Sequence, residues 1–260
     1  MFLPIGPEAQ VMLAICAFYL YDACVPLSAD AGQLHPGRSG WHGLLAGQAF
    51  EVRWAYLAWP ALLQPHRPVY RLRWDPAQVQ LPGNAEAVQA LQAHAASFSG
   101  FAVPLYALGI VLFALLPAAL FVWPSDAAQL AVLGLIYGFA LWIAVLARRH
   151  ARRGHTPRRT ANSVAMQAVL CPPFALNAVR KLSLACSPSC DALAAAHRLM
   201  APQAWHALAA HAQTVVDAQL EDALADGLDG PLVQRIKASG DRLRDWRNRK
   251  HRLGIDAHEA

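Results

Sequence analysis

Residues 101–147 have the sequence FAVPLYALGIVLFALLPAALFVWPSDAAQLAVLGLIYGFALWIAVLA. The first 23 residues (101–123) and the last 21 (127–147) carry no charged side chain, and a turn of only three residues joins them. A helix that crosses ~30 Å of hydrocarbon needs about 20 apolar residues at ~1.5 Å each. Backbone amides in hydrocarbon must be satisfied internally, so both runs are predicted to be helical. The stretch therefore predicts a transmembrane helical hairpin, and the absence of a polar face disfavours the alternative, a buried core hairpin of a soluble protein.

An arginine cluster follows the hairpin directly. It comprises Arg148, Arg149, Arg152, Arg153, Arg158 and Arg159, whereas the turn at 124–126 contains no lysine or arginine. Positively charged residues beside membrane spans are retained in the cytoplasm. The cluster is therefore predicted to lie on the cytoplasmic side, in contact with anionic lipid headgroups or with a partner.

A first span is predicted within residues 1–27. Its uncharged part, residues 9–21, is too short to cross a bilayer, but extension through Asp22 to residue 27 gives 19 residues, which suffices. No lysine or arginine precedes this apolar stretch. An uncleaved span is therefore favoured over a secretory signal peptide.

Asp22 lies inside or at the edge of this first span. An ionisable side chain in a bilayer is costly and by default suggests a function or a pairing. The structural interpretation, which we prefer, is a carboxylate near the headgroups that Tyr19, Tyr21 or a neighbouring arginine hydrogen-bonds. The functional interpretation is a catalytic or proton-carrying group.

Composition agrees with a membrane protein. The 260 residues are 56% hydrophobic and 15% charged, with mean hydropathy +0.26 and net charge +5. The high content of alanine and tryptophan and the excess of arginine over lysine suggest a bacterial coding sequence. Three spans then predict a multi-pass protein of the bacterial inner membrane, with its N-terminus outside and its C-terminus in the cytoplasm.

Residues 28–100 are predicted to form a small cytoplasmic insert that contains β structure. Residues 50–56 and 69–74 alternate in polarity and are rich in β-branched and aromatic side chains, which predicts two strands of one antiparallel sheet. Asn84 is expected to cap a helix over residues 84–98 that leads into the second span.

Residues 148–200 are predicted to form a basic and interfacial segment. The apolar stretch 163–184 is interrupted by Pro172 and Pro173, and then by Arg180 and Lys181. Adjacent prolines break a helix. We therefore prefer broken amphipathic segments whose Arg180 and Lys181 reach the headgroups, and the alternatives are a fourth span or a segment that packs under the hairpin.

Residues 201–260 are predicted to form two amphipathic cytoplasmic helices. The first begins at Pro202 and ends near Gly227, a residue type that favours helix C-terminal caps. The second covers residues 231–253 and has an arginine-rich face, which suits a solvated bundle helix, a lipid surface or an acidic partner. No nucleic-acid-binding module is recognisable, so no nucleic-acid partner is predicted.

The sequence nominates no catalytic residue, cofactor or metal. The five cysteines form no CxxC pair, and the close pair Cys186 and Cys190 is interpreted as reduced and structural. The eleven histidines form no HExxH motif, and no GxSxG, Walker A or GxGxxG motif occurs.

The predicted fold class is mainly α and integral to the membrane, with three transmembrane helices. The predicted function is a non-catalytic anchor or accessory subunit that binds a protein partner, or a second copy, at the cytoplasmic face. The alternative is a membrane enzyme acting on a lipid or lipid-linked substrate, with Asp22, His42 and Glu51 as acid and base groups and the arginines as phosphate binders.

Overall fold

The computed structural model describes residues 6–53, 55–59, 62–79, 81, 83–186, 188–228 and 230–256. The chain forms two compact units. Unit 1 contains the chain up to Val25, Trp59–Val69 and Ala93–Cys186. Unit 2 contains Pro26–Ala58, Tyr70–Gln92 and the chain beyond Cys186.

Unit 1 is helical. Helix α2 (Ala85–Ala96) belongs to both units by sequence, and a 3₁₀ turn (Ser99–Phe101) leads from it into α3. Asn84 Oδ1 accepts a hydrogen bond from the Glu86 N–H at 2.9 Å, which confirms the predicted start of α2. The remaining helices of unit 1 are α1 (Pro7–Ala23), α3 (Ala102–Ile110), α4 (Asp126–Arg152), α5 (Arg158–Leu170), α6 (Pro172–Ala175) and α7 (Ala178–Leu184).

The two helices of the predicted hairpin are present. Two π-helical stretches, Val111–Leu115 and Ala118–Val122, extend α3, and α4 starts where Ser125 Oγ accepts the Ala128 N–H at 3.3 Å. Two helices of the described chain, Ala85–Val122 and Asp126–Arg152, are long and apolar enough to cross a membrane. In their most apolar windows only 28% and 33% of the residues are buried.

Helix α1 is shorter than predicted. It ends at Ala23, and Val25–Leu27 form a β-strand instead of the last turn of a span. Pro26 explains the difference, because proline biases the residue before it towards extended backbone. The 17 residues of α1 span ~26 Å at ~1.5 Å each.

The stretch 163–184 is divided among three helices. Helix α5 has 13 residues, α6 has 4 and α7 has 7, with the break before α6 at the two prolines, as predicted. Each is well below the about 20 residues that a crossing needs, so this stretch contains no spanning helix. The core of unit 1 is formed by α3, α4, α5 and α7, with side chains such as Leu105, Leu108, Ile143, Val164 and Leu182.

The described residues of unit 2 include strands of two small three-stranded sheets. One has the strand order β1–β5–β4, with β1 (Val25–Leu27), β4 (Phe50–Val52) and β5 (Ala55–Ala58). The other has the order β3–β2–β6, with β2 (Ala31–Pro36), β3 (Trp41–Leu45) and β6 (Tyr70–Arg73).

The predicted pairing of residues 50–56 with 69–74 is wrong. Strand β4 pairs with β5, placing Phe50 opposite Leu57, whereas β6 pairs with β2, placing Arg71 opposite Gln33. The two strands that complete the second sheet, β2 and β3, contain glycine, histidine and proline. The sequence does not predict these two strands, because these residues are not typical of strands.

Three helices complete unit 2: α8 (Ala192–Leu199), α9 (Pro202–Ala225) and α10 (Pro231–Asp256). Helices α8 and α9 cover β2 and β3 closely, since a Cβ added at Gly32 would lie 3.1 Å from Ala192 Cβ. Helix α9 ends at Ala225, and Gly227 follows with φ +68°. The Leu228 N–H then donates to Ala223 O at 3.0 Å, which confirms the predicted glycine cap. Helix α10 buries Ile236 and Leu243, as expected of an amphipathic bundle helix.

Unit 2 thus joins residues of the predicted insert 28–100 to those of the predicted C-terminal helices 201–260. The predicted segments 28–100, 148–200 and 201–260 do not follow the boundaries of the two units.

Candidate functional site: a charged cleft in unit 1

Asp22, the last acidic residue of α1, forms an ion pair with Lys181 of α7. Lys181 Nζ lies 2.7 Å from Asp22 Oδ1, and the exposed fractions of the two side chains are 23% and 14%. The other carboxylate oxygen, Oδ2, accepts a hydrogen bond from Asn177 Nδ2 at 3.1 Å. Asp22 is therefore paired, as the structural interpretation of the sequence expected, but with a lysine and an asparagine.

Asn177 holds this network together. Its side chain is fully buried, and Nδ2 also donates to the backbone oxygen of Tyr19 at 3.2 Å. Its Oδ1 accepts from Arg180 Nη1 at 2.5 Å. Since buried polar groups must be hydrogen-bonded, these contacts join the end of α1 to the start of α7.

The prediction that Arg180 reaches the headgroups is wrong. The residue is 2% exposed, so its guanidinium does not reach a surface and cannot contact headgroups. Burial lowers the pKa of Arg180, and Tyr19 and Asp22 oppose that change. Its role is to hold Asn177 inside unit 1.

Lys181 faces an open cleft of about 570 Å³. Its Nζ donates to Gln167 Oε1 at 2.7 Å and lies 4.8 Å from the centre of the Phe174 ring, a cation–π distance. One face of α5 supplies Arg159, Thr160, Ser163 and Gln167 to the same cleft. We call this site the charged cleft.

The charged cleft suits an anion. Arg159 and Lys181 contribute two positive charges against the one carboxylate of Asp22, and Thr160 and Ser163 add hydroxyl donors. Guanidinium, ammonium and hydroxyl groups are the usual partners of phosphate and carboxylate oxygens. Asp22 fixes Lys181 in position. Among the described residues, no histidine or carboxylate hydrogen-bonds the Thr160 or Ser163 hydroxyl to activate it as a nucleophile.

The other predicted arginines lie around this region of unit 1. Arg148, Arg149, Arg152, Arg153 and Arg158 are exposed at the end of α4 and the start of α5. Exposed guanidinium groups at this junction are available to anionic ligands or partners.

A histidine cluster that sequence reasoning missed lies at the same end of α4. His150 Nδ1 is 3.1 Å from Thr156 Oγ1, and Nε2 is 2.8 Å from Ser97 Oγ. Because the Ser97 hydroxyl donates to the backbone oxygen of His94, His150 Nε2 carries the proton and Nδ1 accepts from Thr156. Burial, together with His155, His94 and Arg153, lowers the pKa of His150 to about 4, so the ring is neutral at pH 7.

Cys186 lies at the edge of this cluster. His94 Nε2 donates to the backbone oxygen of His155 at 2.8 Å and is 3.2 Å from Cys186 Sγ. Burial raises the pKa of the Cys186 thiol and lowers the pKa of His94. A neutral thiol beside a neutral imidazole is not an activated nucleophile. Across the described chain, no group of three or more His, Cys, Asp or Glu side chains could hold a metal ion.

The acid–base groups of the alternative enzyme hypothesis are distributed between the units. Asp22 belongs to unit 1, whereas His42 and Glu51 belong to unit 2. His42 of β3 stacks on His35 with 5.6 Å between ring centres, and Glu51 of β4 is exposed in the other sheet. Comparison with protein families, with curated proteins and with solved structures finds no match for this chain.

Proposed function

We propose that the chain is an integral membrane protein that serves as a non-catalytic anchor or accessory subunit. Its hairpin lies in the lipid, and unit 2 binds a protein partner. One observation carries the proposal: many large apolar side chains of the hairpin are exposed. A soluble core helix would be mostly buried, whereas about two thirds of the residues in each apolar window are not.

The exposed side chains cover the length of both hairpin helices. On α4, Leu130 is 68% exposed and Leu135 is 45% exposed. The other exposed large apolar residues of the hairpin are Val103, Tyr106, Ile110, Phe113, Leu115, Phe121, Val122, Trp123, Leu133, Tyr137, Leu141, Trp142 and Val145. Removal of such a surface from water stabilises by ~25 cal/mol per Å², which favours a lipid environment.

The length of α4 also matches a bilayer. From Asp126 to Arg148 the helix rises ~33 Å, close to the ~30 Å of the hydrocarbon layer. One end carries Trp123 and the turn, and the other carries the arginine cluster. This arrangement supports the cytoplasmic location of the arginines in a bacterial inner membrane.

The chain segments that form unit 2 support the proposed topology. Strands β2 and β3 precede the hairpin in sequence, and α8 and α9, which pack on them, follow it. The strands and the helices must therefore lie on the same side of the membrane. The two crossings of the hairpin allow this, because they return the chain to the side from which it left. A further crossing by residues 163–184 would separate them.

We include α1 as a third and shortest span. Leu13, Phe18 and Leu20 are exposed on it, and a short helix is accommodated by local thinning of the bilayer. The N-terminus then lies outside the cell and the whole of unit 2 in the cytoplasm.

The proposed partner contact is the edge of unit 2 formed by β4. This strand ends the order β1–β5–β4, and Phe50 is 67% exposed on it beside exposed Val52. An exposed strand edge with apolar side chains is a surface to which a partner strand can add.

Leu135→Lys tests the membrane location. At the centre of a spanning helix a lysine costs about 2.5–3.5 kcal/mol, so this variant should be depleted from carbonate-washed membranes. Leu228→Lys replaces an equally exposed leucine of unit 2 and should stay with the membranes, as the unmodified protein does. Both variants remaining folded in the supernatant, without detergent, would contradict the proposal.

Phe50→Asp tests the partner contact. Purification of the full chain in mild detergent should recover a stoichiometric partner or a second copy, and the charged residue on the β4 edge should abolish this recovery. Leu228→Asp, at an exposed leucine outside that strand, should leave it intact. Equal recovery with both variants would rule out β4 as the contact.

A further inference from the structure

The groove between α4 and α5 differs in polarity from one end to the other. Its volume is about 560 Å³, within the range of ligand pockets. Helix α4 contributes Leu141, Val145 and Arg148, and α5 contributes Asn162, Met166 and Val169. We infer that this groove binds one anionic phospholipid of the cytoplasmic leaflet, an inference that rests on the proposed membrane location.

The order of the lining residues follows from the connection. Only residues 153–157 separate α4 from α5, so the two helices are antiparallel neighbours. Arg148 and Asn162 are both close to this connection, whereas Leu141 and Val169 are both far from it. The groove is therefore polar and cationic at one end and apolar at the other.

The groove exists because alanines line the interface beside it. Ala144, Ala147 and Ala151 of α4 and Ala161, Ala165 and Ala168 of α5 are buried. Small side chains let two helices approach closely, and the larger residues on one side then form the walls of a cleft.

Arg148 supplies the anion contact. It is exposed, and none of the ion pairs among the described residues involves it. Its planar guanidinium offers two parallel donors to a phosphate, and Asn162 adds an amide donor. A phosphate at this end is at the depth where lipid headgroups lie, because Arg148 marks the proposed membrane surface.

The apolar end requires an alkyl chain. Leu141, Val145 and Met166 are 52%, 45% and 63% exposed. Leu141 is seven residues from Arg148, or ~10 Å deeper along the helix. A ligand with a phosphate at one end and a hydrocarbon chain reaching ~10 Å further matches both ends, whereas free phosphate covers only one.

The test compares two adjacent arginines. Arg148 lines the groove, and Arg149 is also exposed but does not line it. Native mass spectrometry of the full chain in detergent, titrated with dioleoyl phosphatidylglycerol, should show one tightly held lipid in the unmodified protein and in Arg149→Gln. Arg148→Gln should bind it at least about tenfold more weakly, as expected for loss of a charged hydrogen bond.

Two further sets of binding measurements identify the ligand chemistry. Dioleoyl phosphatidylcholine should bind more weakly than phosphatidylglycerol, and millimolar inorganic phosphate should not displace the lipid. Val145→Trp should block the apolar end and weaken binding, whereas Leu135→Trp, elsewhere on α4, should not.

Equal weakening by Arg148→Gln and Arg149→Gln would overturn the inference, because it would indicate diffuse attraction rather than a site. Displacement by inorganic phosphate would overturn it as well. Either result in a protein that carbonate does not extract leaves the proposed function standing, whereas recovery in the soluble fraction defeats both.

Discussion

At the scale of single residues, neighbouring side chains of the same charge can have different environments and roles. Arg180 and Lys181 are consecutive basic residues, yet the first is buried against Asn177 and the second lines the charged cleft. Their difference follows from the 100° rotation between neighbours on a helix, which places them on different faces of α7. The compact ammonium of Lys181 pairs with Asp22. The charge of Arg180 is spread over a planar guanidinium, from which Asn177 Oδ1 accepts a hydrogen bond.

Asp191 carries a pH-dependent contribution to stability. It caps α8, accepting hydrogen bonds from the Leu193 N–H at 2.9 Å and the Ala194 N–H at 3.1 Å. Burial raises its pKa to about 6, although these hydrogen bonds oppose the rise. The folded state therefore binds more protons than the unfolded state between pH 3.8 and 6, and the free energy of unfolding falls as the pH rises through that window.

We expect Asp191→Asn to stabilise unit 2 above pH 6 by up to about 3 kcal/mol and to have little effect below pH 4, because asparagine keeps the cap without the charge. Asp191→Ala lacks the cap and should gain less at every pH. Amide hydrogen exchange of α8, compared between variants at equal pH, measures the difference. A destabilised Asp191→Asn at pH 7 would show that the charged cap outweighs its burial.

At the scale of secondary structure, the helices agree with their sequence patterns better than the strands do. Helix α4 begins at the Ser125 cap, and α9 and α10 begin at prolines. These starts can be predicted because helix hydrogen bonds connect residues four apart, so the signals are local. The sequence pattern does not predict strands β2 and β3. A strand is stabilised by neighbours distant in sequence, so glycine and histidine are tolerated where those neighbours supply the hydrogen bonds.

The continuation of α3 beyond Ile110 is helical, as predicted, but its turns are wider than those of a regular α-helix. The π-helical stretches Val111–Leu115 and Ala118–Val122 flank Pro117. Proline lacks an N–H and crowds the preceding turn, and a wider turn relieves that crowding. Apolarity alone predicted the length of this helix and not its irregular turns.

At the scale of the whole molecule, each unit is assembled from segments far apart in the chain. The proposed orientation, with the hairpin turn outside and unit 2 in the cytoplasm, can be tested on the intact protein. Pro124→Cys in the turn should react with a membrane-impermeant maleimide in intact spheroplasts. Ala225→Cys, exposed at the end of α9, should react only after permeabilisation.

The unmodified protein, with its five free cysteines, sets the background of this labelling. The reverse pattern would invert the proposed orientation while keeping the membrane location. Labelling of both sites in intact spheroplasts would contradict the placement of unit 2 on the opposite side from the turn.

Four features can be read from the amino-acid sequence: the apolar hairpin, its short turn, the arginine cluster after it and the two C-terminal helices. These features depend on length, hydrophobicity and capping within a few residues, which are local properties. The partners of Asp22, the burial of Arg180 and the pairing of β6 with β2 depend instead on tertiary packing. Asp22 and Asn177 are 155 residues apart in sequence, and their contact depends on how every intervening helix packs. No local pattern encodes such a contact, because its energy is realised only once the core has excluded water.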